Sequence, residues 1–233
     1  MDFTIEPLAE DALLLRFGDT IDPAINARVH AATRALRDAA LPGVVDIAPA
    51  YASLLLRFDP LQTETDQLAA MLSGIIGSAT AANPASTRTD ESGIIEIPVC
   101  YGGEFGPDLD TVAAHAGLSR DDVIARHTAA VYSVAMLGFA PGFPYLLGLD
   151  PALHVPRRAN PRTRVPAGSV AIGGAQTGIY PRELPGGWNL IGRMPATLFD
   201  ARQQTPCLLA PSDRVRFRAI DAGEFARFAE QPA

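Results

Sequence analysis

Apolar residues in this chain follow two patterns, blocks the length of a strand and rows spaced for one face of a helix, and the two alternate over the first third. ALLLRF (Ala12 to Phe17) is such a block, closed by Gly18-Asp19, and predicts a strand. Ile25, Val29, Ala32, Leu36 and Ala39 then recur at helical spacing while Arg28, Arg34 and Arg37 fall elsewhere on the wheel. Asp22 as cap and Pro23 at the first position mark where that helix begins, and Leu41-Pro42-Gly43 ends it. VVDIAPA and ASLLLRF read as two more strands, and Asp59-Pro60 turns the chain into a helix from about Gln62 to Ile76. Strand, helix, strand, strand, helix is most of a ferredoxin-like βαββαβ unit. Ile94 to Val99 either supplies the missing last strand or belongs to the next domain.

Ser78 to Ser92 is small, polar and free of aromatic residues, the composition of a linker. The chain therefore divides into an α+β domain at 1–80, a linker at 81–92 and a second domain at 93–233. In the second, IIEIPVCY predicts a strand, Asp108 caps a short helix through His115, and Ser119 with Asp122 makes a capping box for a helix reaching Ala129. VYSVAML, CLLAP and RVRFRAI read as further strands, and Asp221 opens a terminal helix that uses Phe225 and Phe228. Many short strands between Gly/Pro turns predict a closed or nearly closed β-barrel, so the fold class is α+β.

Composition changes this picture at one place. Gly138 to Pro195 holds about half of the 20 glycines and 20 prolines, which makes it a surface of shaped loops and short strands. The uncharged run Thr128 to Leu149 is long enough to span a bilayer, but Gly138, Pro141, Gly142, Pro144 and Gly148 break any helix there, so no membrane role is expected. A net charge of -7 argues against nucleic acid as a partner. All 19 basic residues are arginine, which removes Schiff-base lysines and the phosphate-loop lysine. Cys100 and Cys207 lie far apart with no CxxC, and the acidic start MDFTIEPLAED does not read as a signal peptide, so a cytoplasmic location is expected.

Within the central stretch, Arg157, Arg158, Arg162 and Arg164 sit among Pro156, Pro161 and Pro166, a stiff segment suited either to binding carboxylate or phosphate or to pairing with the chain's acids. The run PAGSVAIGGAQTGIYP offers backbone amides and the Gln176 amide to an oxyanion, or simply glycines for barrel corners. Trp188, the single tryptophan, either stacks on a ligand or anchors the barrel. Tyr180 is a possible proton donor. There is no GxSxG and no HExxH, and Asp150, His154 and Glu183 are the only groups here that titrate near or below neutral pH. His115 and His127 fall on helices away from the stretch, and no metal is expected. This inventory suits binding and orientation better than self-sufficient acid–base chemistry.

GFAPGFPYLLGLD, PRRANPRTRVPAGSVAIGGAQTGIYP and PGGWNLIGRMPATLFD closely resemble the signature of the KipI-like family, also called allophanate hydrolase subunit 1 or carboxyltransferase subdomains C and D. The resemblance is dense from Gly138 to Asp200, and the other elements are compatible with it. It implies a small α+β domain followed by a cyclophilin-like β-barrel, working with a KipA-like partner. In the 5-oxoprolinase members a larger LamB/YcsF-like chain joins them, and the complex uses ATP to open 5-oxo-L-proline to L-glutamate. Other members act as half of a biotin-dependent carboxyltransferase on urea-type amides, or inhibit a sensor histidine kinase. The resemblance implies a small carboxylate or amide as substrate. It also implies substrate or partner contacts at Phe139, Pro141, Phe143, Tyr145, Arg157, Arg158, Arg162, Gln176, Tyr180, Trp188 and Arg193.

Overall fold

The computed structural model describes residues 3–82 and 93–229. Its chain forms two compact units, Met1–Asp90 and Glu91–Ala233. Most of the expected linker lies outside the described residues, since Ala81 and Ala82 are still the end of a helix.

In the first unit, β1 (Thr4–Ala9) and β2 (Ala12–Arg16) form a hairpin, followed by α1 (Pro23–Ala39), β3 (Val44–Pro49), β4 (Ser53–Phe58) and α2 (Thr65–Ala82). Asp22 caps α1 as its sequence implies, its carboxylate accepting from the Ala24 and Ile25 amides at 2.7 and 3.1 Å. The sheet order is β1-β2-β4-β3, antiparallel throughout. Alternation puts Leu13, Leu15, Leu54 and Leu56 on one face, where they are buried with Val29 and Leu36 of α1 and Leu68, Leu72 and Ile76 of α2. The expected strand–helix–strand–strand–helix run is therefore present as β2 to α2. The place beside β2, however, is taken by β1 from the N-terminal side rather than by a strand after α2. The unit therefore departs from the complete ferredoxin-like βαββαβ arrangement. Ile94 to Val99 belongs to the second unit.

That unit begins with β5 (Ile94–Tyr101), α3 (Leu109–Ala116) and α4 (Arg120–Ala129), the last opened by the Ser119/Asp122 capping box. Next come β6 (Tyr132–Leu137), β7 (Pro144–Leu147), a 3-10 turn at Pro151–Leu153, β8 (Arg162–Val165), β9 (Ser169–Gly173) and β10 (Gln176–Ile179). The chain finishes with β11 (Leu184–Gly186), β12 (Asn189–Arg193), β13 (Arg214–Ile220) and α5 (Ala222–Ala229). Seven strands close a barrel in the order β10-β7-β6-β13-β5-β12-β9, with β9 paired to β10. Only β13 and β5 run parallel, in register from Arg214/Ile94 to Ile220/Cys100. β8 and β11 form a separate two-stranded ribbon. CLLAP, expected as a strand, contributes only a single bridge, Cys207 to Phe199.

Closure removes sheet edges and leaves a filled interior of Ile97, Val99, Val134, Leu146, Val170, Ile172, Ile179, Ile191, Val215 and Phe217. No helix among the described residues is long and apolar enough to cross a membrane.

Candidate functional site

A second apolar cluster, separate from the barrel interior, gathers Ala140, Phe143, Val165, Ala171, Tyr180, Trp188 and Leu190, with Tyr145 and Leu184 packed against it. Phe143 is its centre. The ring stands edge-on to Phe139, Tyr180 and Trp188 at centroid distances of 5.4, 5.2 and 5.8 Å, and tilts against Tyr145 at 4.9 Å. The edge-on arrangement matches the electron-poor rim of one ring to the electron-rich face of the next. Two glycines make room for the indole. A Cβ on Gly173 would lie 2.6 Å from Trp188 Cδ1, and one on Gly178 would lie 3.1 Å from Cζ3.

The loop that carries Phe139 ends this wall. Phe139 is 61% exposed and holds a left-handed backbone at φ +66. A bulky residue in that region costs free energy and recurs at sites of ligand or partner contact. Its neighbour Pro141 is also exposed. Burial raises the Tyr145 and Tyr180 phenols above their ordinary value, although the Arg157 charge pulls both back, so both are protonated at neutral pH. The Tyr180 oxygen also accepts the Trp188 backbone amide.

The four arginines do different work. Asp108, 3% exposed, accepts Arg158 Nη1 at 2.8 Å, both terminal nitrogens of Arg162 at 2.7 and 2.8 Å, and the Leu190 amide at 2.8 Å. Its expected capping role is absent, for the Asp108 side chain makes no cap hydrogen bond to α3. Arg158 and Arg162 are thus held by the fold, and Arg164 pairs with Glu183 at the surface at 2.8 Å. Arg157 makes no hydrogen bond or ion pair among the described residues and lies over the Trp188 ring at 5.8 Å.

The remaining candidates separate. Gln176 is buried in β10. Arg193 sits at the far end of β12 from Trp188, over the Phe105 ring at 5.8 Å, outside the aromatic cluster. Sequence reasoning missed Asp108 as a partner because it lies 50 and 54 residues from the arginines it holds. It also missed His127, which it placed away from the central stretch. His127 is completely buried, its Nε2 3.1 Å from Thr177 Oγ1 and its Nδ1 2.8 Å from the Tyr101 hydroxyl. Thr177 donates to the Ala171 carbonyl, so it accepts from His127 Nε2–H, and Nδ1 accepts from Tyr101. Burial holds this imidazole neutral, with its pKa lowered to about 3. Among the described residues no group of His, Cys, Asp or Glu is placed to hold a metal.

The family model described as carboxyltransferase domain, subdomain C and D, matches residues 3–209. A 5-oxoprolinase subunit of Bacillus subtilis (strain 168) is 40% identical over 235 residues, covering 98% of each chain. Its namesake in Escherichia coli O157:H7 is 59% identical over 127 residues, 54% of this chain and 58% of that one. The crystal structure of TTHA0988 superposes with a TM-score of 0.78 at 41% identity, over 91% of this chain and 40% of that longer chain.

Proposed function

The chain belongs to the carboxyltransferase subdomain C and D family, and from that premise we propose that it acts as the corresponding subunit of a 5-oxoprolinase. In that reading the complex opens 5-oxo-L-proline to L-glutamate at the expense of ATP, with a KipA-like chain and a larger LamB/YcsF-like chain as partners. The observation that carries it is the 40% identity to the Bacillus subtilis protein, extending over 98% of both chains.

This chain's part is to bind and orient. Phe139, Phe143, Tyr145, Tyr180 and Trp188 form one wall of a site that a partner chain completes. The apolar methylenes of a five-membered lactam pack on such a wall, and closing a partner over it excludes water and strengthens the polar contacts inside. Phe139 and Pro141, exposed on the strained loop, are the partner-facing edge. Arg158 and Arg162 act behind the wall through Asp108 rather than on substrate.

The test is reconstitution of the chain with its KipA-like and LamB/YcsF-like partners. The expected result is glutamate formed from 5-oxo-L-proline only with ATP present and only when all chains are present. An assembled complex that forms no glutamate, or one that instead carboxylates an amide using carboxybiotin, overturns the reading.

A further inference from the structure

Arg157 differs from its neighbours in having a fixed backbone and an unclaimed head group. The residue before it is tied down where the Asn189 side-chain Nδ2 donates to the Pro156 carbonyl at 3.0 Å. The residue after it is tied down twice, by the Arg158 amide donating to the Gly187 carbonyl at 2.7 Å and by the Arg158 side chain on Asp108. These bonds hold the segment 156–158 along residues 187–189, so Arg157 is set beside Trp188 and its guanidinium lies over the indole. A guanidinium held over an aromatic ring by its charge, with none of its N–H donors claimed by the described residues, has those donors available to a planar anion.

The local charge favours such an anion. Arg157, Arg158 and Arg162 bring three positive charges against the single carboxylate of Asp108, in a chain whose net charge is -7. The aromatic rings beside the guanidinium supply apolar surface, and Arg157 itself is exposed, so its donors are open to an incoming anion. One unclaimed fork next to a wall of aromatic side chains suits a small carboxylate with an apolar body.

We infer that Arg157 is the carboxylate-recognising residue of this site, binding the acid group of a small cyclic amide while Trp188 holds the guanidinium in place. The inference rests on the proposed 5-oxoprolinase reading for the identity of the ring, and it fixes which part of the substrate this chain reads. Arg157 is then a specificity determinant: it separates a lactam that carries a carboxylate from the same lactam without one.

The experiment compares Arg157→Ala and Arg157→Lys with the unmodified chain in the reconstituted complex, using 5-oxo-L-proline and 2-pyrrolidinone, the same ring lacking the carboxylate. Loss of the contact is expected to raise KM for 5-oxo-L-proline roughly ten- to a hundredfold, with kcat changed far less. Turnover of 2-pyrrolidinone, however slow, is expected to be the same in all three. Arg157→Lys restores part of the loss by charge alone. Because Trp188 is the single tryptophan, its fluorescence in the isolated full chain gives a second readout that needs no activity. There, 5-oxo-L-proline is expected to produce a saturable change that Arg157→Ala abolishes and that 2-pyrrolidinone does not produce. An active complex in which Arg157→Ala leaves KM for 5-oxo-L-proline unchanged overturns the inference while the 5-oxoprolinase reading stands. A complex without glutamate formation overturns that reading. The fluorescence titration then decides for Arg157 alone, and a response equal in the unmodified chain and the alanine variant overturns it.

Discussion

Asp108 and Arg157 show how differently two charged side chains of one arginine-rich segment and its surroundings contribute. Asp108 is buried with two arginines and a backbone amide on its oxygens, so removing its charge leaves those groups without their acceptor. Asp108→Asn is expected to cost about 3 kcal/mol in urea unfolding of the barrel. Arg157→Ala loses only a partly exposed cation–π contact and is expected to cost less than about 1 kcal/mol. Equal costs for the two would show that the arginine segment acts as one structural unit. Phe139 adds a third case, because its left-handed backbone is strained and its side chain is mostly exposed. Phe139→Gly removes the steric strain, so the thermal midpoint is expected to hold or rise while activity of the reconstituted complex falls. A clear drop in the midpoint would mean that the ring's contacts with Phe143 and Tyr180 outweigh the strain.

At the scale of elements, the aromatic wall depends on glycines in β9 and β10 as much as on the rings. Gly173→Ala puts a methyl group into the space held by the Trp188 indole. Its expected cost is about 1–3 kcal/mol, together with a red shift of the tryptophan emission as the ring is pushed toward solvent. Unchanged emission would mean that the strand moves instead of the ring. Sequence pattern located most of these elements. The cap at Asp22, the box at Ser119 and the strands Ile94–Tyr101 and Arg214–Ile220 are all where local chemistry placed them. It did not mark β1, whose residues are mostly exposed and lack a clean apolar alternation. It also overcounted at CLLAP, where an apolar run follows a polar turn without a partner strand to extend it.

Across the barrel as a whole, His127 links α4 to β5 and β10 from inside, so its protonation is tied to folding. Its folded pKa of about 3 lies below its ordinary value of 6.5, so between those values the unfolded chain binds the proton that the native barrel refuses. The stability this group contributes is complete above about pH 6.5 and is lost as pH falls toward 3, at up to about 1.4 kcal/mol per pH unit. Urea midpoints measured across that window are expected to fall more steeply for the unmodified chain than for His127→Gln. Parallel curves would assign the acid sensitivity to other groups.

The sequence by itself determined that the chain pairs an α+β layer with a barrel, that Gly138 to Pro195 is its loop-rich, arginine-bearing stretch, and that no familiar acid–base motif lies within it. These follow from short-range rules, since period, capping and turn residues act within a few positions of one another. Only the tertiary structure decided which arginine is free. Arg157 and Arg158 are adjacent in sequence and chemically identical. Barrel closure brings Asp108 from 50 residues away onto Arg158 and folds Trp188 beneath Arg157. Partner choice of that kind is set by long-range geometry, which local pattern does not encode.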